Sequence, residues 1–410
     1  MLALEEARAR ILDRLAPTGV ETVELGAALG RVLAEPLTAR LSNPPADVSA
    51  MDGYAVRSAD ASAGARVRLI GEAPAGHPFA GRLEAGDCVR LFTGSVMPEG
   101  SDAVLIQENA TRDVDTVVVR EAVAPARHVR PHGQDFTRGA VVLAAGRRLG
   151  PREIGIAAAA NQPWLACHRR PVVALLSTGD EVALPGGEIP PGGIANSNGP
   201  MLAALVAAAG GVPQLLKPAP DQAAAIAERV SDLHCDMLVT IGGASVGAYD
   251  LVQAGLGELA FAVDFWKIAM RPGKPLMHGR LRGPRGETPV LGLPGNPVSA
   301  YVCAILFLLP AIAALSGSAT GAGGAAGALA YEQAVLDAPL AANDERADHL
   351  RARLVTGDSG ELRVAPFRRQ DSGMLSLLQQ AGALILRPPH APAAPRGATV
   401  PILRLDRLGL

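Results

Sequence analysis

The spacing of apolar side chains divides the chain into segments of different secondary structure. In residues 1–15 apolar positions recur at helical spacing between charged ones, which predicts an amphipathic helix. An Ala-rich stretch from Pro151 predicts a second helix, which we expect to pair with the first. Between the two helices, Gly and Pro separate short runs rich in β-branched residues, which predicts an inserted β domain. Four such runs cover residues 67–70, 87–92, 103–107 and 116–120.

From residue 171 onwards the pattern changes to apolar runs that alternate with helical segments. Three runs, at 171–176, 236–241 and 288–293, show no alternation of polar residues, which is typical of strands buried on both faces of a sheet. The helical segments between these runs are expected to form crossover connections. This order predicts an α/β domain with a mostly parallel sheet.

The rest of the chain predicts a linker and a small C-terminal β domain. Residues 316–328 are low in complexity and contain no residue larger than Leu, as is usual for linkers. Residues 351–367 predict two strands about a Gly/Asp turn. The expected fold is therefore multidomain, α/β and β, with these domains: an N-terminal helical linking domain (1–42 with 138–170), an inserted β-rich domain (43–137), the α/β domain (171–318) and a C-terminal β domain (329–410).

Composition excludes several classes of protein. Hydrophobic residues make up 49% of the chain, charged residues 19%, and the formal net charge is -2. This balance argues against disorder and against a general nucleic-acid or polybasic membrane binder. Four cysteines without a C-x-x-C pair indicate neither a disulfide framework nor a zinc knuckle, and predict a cytoplasmic setting. The apolar run at 298–315 contains Pro310 and lacks flanking Lys or Arg, which favours a buried core helix over a membrane span.

Each of the three buried strands of the α/β domain runs into a loop of small residues. The loops are STGDE at 177–181, GGASVGAYD at 242–250 and LPGNPVS at 293–299. Parallel strands share one carboxyl edge, where α/β domains bind ligands, and Gly and Ser there let backbone N–H groups approach an anion. The turn RPGKP at 271–275 adds a lysine. Together the loops predict a phosphate-bearing ligand.

Carboxylates and two lysines extend this prediction. Asp180, Glu181 and Asp250 would repel a phosphate unless a hard divalent cation lay between them, which points to Mg²⁺. Each could instead cap the helix that follows. The chain has only three lysines among 38 basic residues, and Lys267 and Lys274 lie on either side of a Gly/Pro turn. A compact ammonium suits an oxyanion in a tight site, so we expect both lysines to be functional.

A nucleophile elbow is the main alternative for the second loop. GASVG at 243–247 fits G-x-S-x-G, with Ser245 as a nucleophile and His278, His349 or His390 as a base. That hypothesis leaves RPGKP, LPGNP and STGDE without a role.

Six motifs occur in the order found in one family of enzymes. They are SAMDGYAVR, STGDEV, NSNGPML, GGASVGAYD, MRPGKPL and LPGNPVSA, between residues 49 and 300. The chain resembles the molybdopterin molybdenumtransferase (MoeA) family, whose eukaryotic relative is the gephyrin E-domain. The resemblance implies a cytoplasmic enzyme of molybdenum cofactor biosynthesis that inserts molybdate into adenylylated molybdopterin, with Mg²⁺-dependent release of AMP and no permanently bound organic cofactor.

The resemblance also implies partners. It implies an elongated homodimer, in which the active cleft joins the α/β domain of one subunit to the β domain of the other. Further expected partners are the molybdopterin adenylyltransferase and downstream cofactor-insertion proteins. Two other functions stay open: the adenylyltransferase of the preceding step, which resembles the α/β domain alone, and a non-enzymatic scaffold of the gephyrin type.

Site residues follow from the motifs that match. The residues expected to be catalytic are Asp52, Thr93, Asp180, Glu181, Asp221, Asp250, Lys267 and Lys274. Those expected to bind substrate are Asp135, Ser177, Thr178, Gly179, Gly242, Gly243, Ser245, Gly247, Pro272, Gly273, Pro294, Gly295, Asn296 and Pro297. The expected Mg²⁺ ligands are Asp180, Glu181 and Asp221. The chain departs from common family members at Arg271, where a Lys often precedes PGKP.

Overall fold

The computed structural model describes residues 1–242, 248–283, 286–318, 329–357 and 360–408. Its α-helices are α1 (Leu4–Leu12), α2 (Pro151–Ala159), α3 (Asn198–Ala208), α4 (Ala223–Val230), α5 (Ala248–Gly257), α6 (Pro297–Cys303), α7 (Leu309–Leu315) and α8 (Leu375–Gln379). Its strands are β1 (Val20–Glu24), β2 (Leu37–Thr38), β3 (Val48–Ser49), β4 (Gly53–Val56), β5 (Arg66–Ala73), β6 (Asp87–Leu91), β7 (Ala103–Ile106), β8 (Ala110–Asp113), β9 (Thr116–Val119), β10 (Val129–Arg130), β11 (Val141–Leu143), β12 (Trp164–His168), β13 (Val172–Ser177), β14 (Val182–Ala183), β15 (Ile194–Ala195), β16 (Val212–Leu215), β17 (Met237–Ile241), β18 (Phe261–Lys267), β19 (Met270–Arg271), β20 (Pro275–Gly283), β21 (Gly286–Leu293), β22 (Tyr331–Leu336), β23 (Ala347–Thr356), β24 (Leu362–Pro366), β25 (Ala383–Arg387) and β26 (Thr399–Arg404).

Two small antiparallel sheets carry the chain out to the β domain and back. β1 pairs with β12, and β2 pairs with β11, so the segment between β2 and β11 leaves and returns at one place. α2 packs on β11. α1, however, buries Leu4, Ala7 and Ile11 against α7 in the core of the α/β domain. The expected pairing of the first helix with α2 is therefore wrong, because the long apolar helix near residue 300 covers the apolar face of α1 instead.

The inserted β domain is a six-stranded sheet in the order β7-β4-β6-β5-β9-β8. Along β4, Tyr54 and Val56 face one apolar cluster, whereas Ala55 faces another. The strand is therefore buried on both faces, as its uninterrupted run of apolar side chains requires.

The α/β domain contains a six-stranded sheet in the order β16-β13-β17-β21-β20-β18. The three predicted strands are adjacent and parallel, as β13, β17 and β21. On β13, Val173 and Leu175 face the core formed with α1, α3, α6 and α7, whereas Ala174 and Leu176 face α4 and α5. Helices on both faces explain why the strands lack polar alternation, and the predicted α/β class is confirmed.

The apolar run after residue 297 forms α6, a π-helical turn at Ala304–Leu308, and α7. Among the described residues, one helical stretch, Pro297–Leu315, is long and apolar enough to cross a membrane by length and composition, with a mean hydropathy of 2.4. Within the protein, 83% of that window is buried, and its side chains form the centre of the main core. The predicted core helix is confirmed.

The C-terminal domain is a small barrel to which the α/β domain contributes a strand. Its sheet has the order β19-β23-β24-β22-β26-β25, and an additional pairing between β23 and β25 closes it. β19 comes from the segment that precedes PGKP and pairs in parallel with β23. The two predicted strands about the Gly/Asp turn are β23 and β24, which are antiparallel.

His349 on β23 is expected to make the protein less stable in acid. Its side chain is buried, and within the described residues neither ring nitrogen has a hydrogen-bond partner. Burial, with a smaller contribution from the charge of Arg8, lowers its pKa to about 4. The unfolded state, with a histidine pKa of about 6.5, therefore binds more protons below that pH.

Stability from the neutral imidazole is complete above pH 6.5 and is lost as the pH falls toward 4. We expect a loss of about 2 kcal/mol between pH 7 and pH 5 from this group alone. Urea unfolding at both pH values checks this: His349→Leu should lose less stability on acidification than wild type, whereas His390→Leu, at an exposed position, should match wild type. Equal acid sensitivity of His349→Leu and wild type would contradict the assignment.

Candidate active site

The three strand-end loops of the α/β domain meet at one edge of the sheet. The backbone N–H of Thr178 donates to the carbonyl of Ile241 at 3.0 Å, and that of Gly242 donates to Leu293 at 3.2 Å. The side chain of Asn198 donates through Nδ2 to the carbonyl of Gly295 at 2.6 Å. The STGDE loop, Gly242 at the start of the second loop and the LPGNP loop are therefore close together, because β13, β17 and β21 are neighbours.

The close approach of these loops requires glycine at position 242. Gly242 has a φ of +96°, and a Cβ added there would lie 2.7 Å from the carbonyl oxygen of Thr178. Gly64 in the β domain has a similar φ of +84°, but a Cβ there would meet nothing within 4 Å. Alanine at Gly64 would therefore introduce backbone strain alone, whereas alanine at Gly242 would introduce both backbone strain and a steric overlap.

Gly242→Ala is expected to destabilise the protein more than Gly64→Ala. Both substitutions force an L-residue into the left-handed region, at a cost of about 1–3 kcal/mol. Only Gly242→Ala also pushes Thr178 out of the edge where the loops meet. Urea unfolding measures the difference, and an equal loss in the two variants would show that the approach to Thr178 is not tight.

Polar groups without partners are present at this edge. Ser177 Oγ and Asn196 Nδ2 lie 3.0 Å apart, and Asn196 Oδ1 accepts from the backbone N–H of Gly199, so these groups are satisfied internally. In contrast, Thr178 Oγ1 and Asn198 Oδ1 are buried and have no hydrogen-bond partner among the described residues. Buried polar atoms normally find partners, so these two are available to a ligand.

Asn196 and Asn198 were not among the predicted site residues. The sequence contains a signal for them, because both lie in NSNGPML, one of the six motifs that carry the family resemblance. The structure gives each a second function: Asn196 connects β13 to the first turn of α3, and Asn198 binds the LPGNP loop.

Three carboxylates form an acidic cluster beside the first loop. Asp180 Oδ1 accepts the backbone N–H of Asp221 at 3.0 Å. Burial raises the pKa of Asp221, and the negative charges of Asp180 and Glu181 raise it further. The carboxylate of Glu181 folds back over Gly179, where an added Cβ would lie 2.6 Å from Oε2. No Arg or Lys of the described residues forms an ion pair with these three carboxylates.

The acidic cluster has the right donors for Mg²⁺ but is not a complete protein cage. In the described part of the chain, no three His, Cys, Asp or Glu side chains converge as a metal site. Mg²⁺ commonly takes one or two protein carboxylates and completes its shell with water and substrate phosphates. Oxygen donors, unneutralised charge and a raised pKa at Asp221 fit that mode of binding.

Part of the second loop lies outside the described residues. The predicted residues Gly243, Ser245 and Gly247 lie outside the described residues, as does the side chain of Asp250. α5 begins at Ala248, so this loop leads directly into a helix N-terminus. The third loop does the same, with Asn296 preceding α6 and Pro297 at its first position.

The RPGKP turn packs on α6. Gly273 has a φ of +107°, and a Cβ there would lie 2.3 Å from Cys303 Sγ. The backbone N–H of Ile268 donates to the carbonyl of Lys274 at 3.1 Å and closes the turn. Lys274 is exposed, and no ion pair of the described residues involves it. Its ammonium is therefore available to an anion.

The other basic residues of this segment have protein partners. Lys267 Nζ lies 3.5 Å from the centre of the Trp266 ring, in a cation–π contact. Arg271, the position at which the chain departs from the family motif, forms ion pairs with Asp348 and, at 3.3 Å, with Asp344. Its charge is directed toward the C-terminal barrel.

The β domain contains a second polar cluster. Asp52 Oδ1 accepts both the backbone N–H of Thr93, at 2.7 Å, and the Thr93 hydroxyl, at 2.8 Å. The backbone hydrogen bond, followed by the hydroxyl, lowers the pKa of Asp52. The fold thus joins two predicted residues that are 41 positions apart. Asp135 lies in a separate contact, where it accepts from Asn43 Nδ2 at 3.0 Å.

The two polar clusters lie in different domains of the chain. Among the described residues, no hydrogen bond or ion pair connects Asp52, Thr93 or Asp135 with the strand-end loops of the α/β domain. A groove of about 680 Å³ between α1, β18 and β20 is a third feature; His278 lines it, but none of the residues predicted to be catalytic, to bind substrate or to bind Mg²⁺ does.

The three histidines suggested as the base of a nucleophile elbow lie away from the strand-end loops. His278 lies within β20, where Nδ1 is 3.3 Å from Asp264 Oδ2. His349 lies in the C-terminal barrel, and His390 is in the loop between β25 and β26. None of the three is in a strand-end loop.

Three family models match successive parts of the chain: the MoeA N-terminal region (domains I and II) at residues 2–161, a probable molybdopterin binding domain at 174–314, and the MoeA C-terminal region (domain IV) at 333–405. A crystal structure of the molybdopterin biosynthesis MoeA protein from Pyrococcus horikoshii is similar, with a TM-score of 0.83 and 27% identity over 98% of this chain and all of that one.

Curated relatives agree with these matches. The molybdopterin molybdenumtransferase of Nostoc sp. is 38% identical over 73% of this chain and 70% of its own length. That of Haemophilus influenzae is 36% identical over 77% and 78% of the two chains, and that of Staphylococcus aureus is 28% identical over 98% and 95%.

The fold and the loop edge define a multidomain enzyme with a molybdopterin-binding type of α/β domain. The chain belongs to the MoeA family of molybdopterin molybdenumtransferases. It is accordingly a transferase of molybdenum cofactor biosynthesis.

Proposed function

We propose that the chain inserts molybdate into adenylylated molybdopterin and releases AMP in a Mg²⁺-dependent reaction. The observation that carries this proposal is the acidic cluster of Asp180, Glu181 and Asp221, which has no basic partner in the described residues and lies beside a loop edge suited to phosphate. Negative side chains next to an anion site need a bridging cation.

The loop edge would bind the phosphates and the pterin. Thr178 Oγ1 and Asn198 Oδ1, which have no partner among the described residues, would bind the ligand, and the N-termini of α5 and α6 follow the second and third loops. Lys274 would place a free ammonium against the oxyanion, and Lys267, held by Trp266, would support it at longer range. The other predicted contacts at this edge are Ser177, Gly179, Gly242, Pro272, Gly273, Pro294, Gly295, Asn296 and Pro297.

Asp180, Glu181 and Asp221 would hold Mg²⁺ against the substrate phosphates. When bound, Mg²⁺ supplies charge neutralisation to the phosphoanhydride. Burial raises the pKa of Asp221, and so does the repulsion from Asp180 and Glu181, which a bound cation would relieve. Asp250, at the start of α5, is the remaining proposed carboxylate.

Asp52 and Thr93 would orient molybdate or an attacking water. The lowered pKa of Asp52 keeps it anionic, and its contact with Thr93 fixes its direction. In the part of the chain that the structure describes, no hydrogen bond or ion pair links this pair to the loop edge. We therefore assign the two clusters to one cleft formed by two subunits of a homodimer.

Exposed apolar side chains in the linking region support the homodimer. Large apolar residues are exposed on and around its two small sheets: Val20, Leu29, Leu41, Val141 and Trp164. Such side chains are commonly covered in assemblies. Four free cysteines, three of them buried, are compatible with the cytoplasmic setting that we propose.

The proposed substrate requires an enzyme that adenylylates molybdopterin beforehand, so the molybdopterin adenylyltransferase is a proposed partner. The proposed product is a finished cofactor, so downstream cofactor-insertion proteins are proposed partners as well. The adenylyltransferase reaction is also the nearest alternative function for this chain. Incubation with ATP and free molybdopterin distinguishes the two: we expect no adenylylated product, whereas its formation would favour the alternative.

A further inference from the structure

The RPGKP turn is attached to the C-terminal barrel by both backbone and side chain. β19 pairs with β23 so that Arg271 lies opposite Asp348, and the backbone N–H of Ala347 donates to the carbonyl of Ala269 at 2.9 Å. The guanidinium of Arg271 forms an ion pair with Asp348, whose side chain is only 6% exposed. The turn that presents Lys274 is therefore held by another domain.

Among the described residues, Arg271 is the one hydrogen-bond partner of the Asp348 side chain, although the charge of Arg346 also acts on it. Oδ2 of Asp348 accepts from Arg271 Nη2, whereas its Oδ1 is buried and has no hydrogen-bond partner in the described part of the chain. A buried carboxylate whose partner is removed is strongly destabilised, so Asp348 and Arg271 constrain each other. Asp344 is less dependent on Arg271, because it also binds Arg346 at 2.8 Å.

A second contact fixes β23 relative to α6. The buried guanidinium of Arg351 donates to the carbonyls of Asp371 at 2.8 Å and Met374 at 3.2 Å. Between these two residues, the carbonyl of Ser372 accepts the backbone N–H of Val298 at 3.0 Å, in the first turn of α6. β23 is thus attached both to the turn and to the helix on which the turn packs.

We propose that Asp348 is a positioning residue for Lys274, acting through Arg271 and the RPGKP turn. It touches no predicted ligand group itself. Because Arg271 and Lys274 belong to one short turn, closed by the hydrogen bond between Ile268 and Lys274, a change at Arg271 displaces the ammonium. The inference rests on the proposed function of Lys274.

The scarcity of lysine gives a direct readout. The chain has three lysines, Lys217, Lys267 and Lys274, so reductive methylation with ¹³C-formaldehyde yields three lysine signals besides that of the amino terminus. The signal that is missing from the Lys274→Arg variant is that of Lys274. Asp348→Asn preserves size while removing the charge that holds Arg271, and it should shift the Lys274 signal and leave that of Lys217 unchanged.

The matched control is Asp337→Asn. Asp337 is a carboxylate of the same barrel that pairs with Arg363 and Arg396, and no ion pair or hydrogen bond in the described part of the chain joins it to the turn. This control should leave all three lysine signals in place. A Lys274 signal that is unchanged in Asp348→Asn would overturn the inference.

Kinetics provide the second readout. Asp348→Asn is expected to lower kcat/KM for AMP release by about 10–100-fold, as small misplacements of a binding group do. Arg271→Met should cost a similar factor, and the double variant should cost no more than the larger single effect. The inference would be overturned if the losses of the two single variants added up in the double variant. It would also be overturned if wild type were active and Asp348→Asn had the same kcat/KM. Wild type that releases no AMP would instead contradict the proposed function.

Discussion

Asp180→Asn is expected to reduce Mg²⁺-dependent AMP release from adenylylated molybdopterin by about 100–1,000-fold, the range found when one charge-stabilising group is lost. The asparagine Oδ1 can still accept the backbone N–H of Asp221, so the local fold is preserved while the negative charge is removed. Glu181→Gln should have a similar effect. AMP production at saturating molybdate, as a function of Mg²⁺ concentration, measures both.

A matched control is Asp232→Asn, which changes an exposed carboxylate of the same domain beyond α4. It should retain the rate and the Mg²⁺ dependence of wild type. If Asp180→Asn also kept both, the assignment of the acidic cluster to Mg²⁺ would be wrong.

Mixed dimers of two inactive variants are expected to recover activity. Asp52→Ala removes the β-domain carboxylate, and Asp180→Asn removes the carboxylate of the loop edge. If each cleft combines the β domain of one subunit with the α/β domain of the other, a heterodimer of the two variants has one intact cleft and one with both changes. About half of the wild-type activity should return.

The heterodimers can be purified with two different affinity tags, and each parental homodimer serves as its own control. Parents should show only residual activity. Should the heterodimer be as inactive as its parents, Asp52 and Asp180 would act within the same subunit, and the shared cleft would be wrong.

The central sheet was predictable because the residues of each strand indicate by themselves that both of its faces are buried. Strands buried on both faces carry uninterrupted apolar runs, and β13, β17 and β21 each show one. Their order then places three loops at one edge, which is where the structure has Thr178, Gly242 and Gly295. Pattern and topology together were sufficient for this part of the candidate site.

Other features depend on contacts that leave no periodic signal. Arg271 and Asp348 are 77 positions apart, and nothing in the sequence of either segment indicates the other. The cluster of Asp52 and Thr93 was suggested by family resemblance, since an Asp-Gly turn and a Thr-Gly turn are ordinary by themselves. The position of α1 was mispredicted because an apolar helical face does not specify which core covers it.

The most direct test of the proposed reaction is to quantify AMP and the pterin product together. Purified wild type is incubated with adenylylated molybdopterin, molybdate and Mg²⁺, and both products are measured by mass spectrometry. The account predicts one AMP for each molybdenum-bearing pterin formed, with both products lost in Asp180→Asn. AMP release without a molybdenum-bearing pterin, or neither product with wild type, would contradict it.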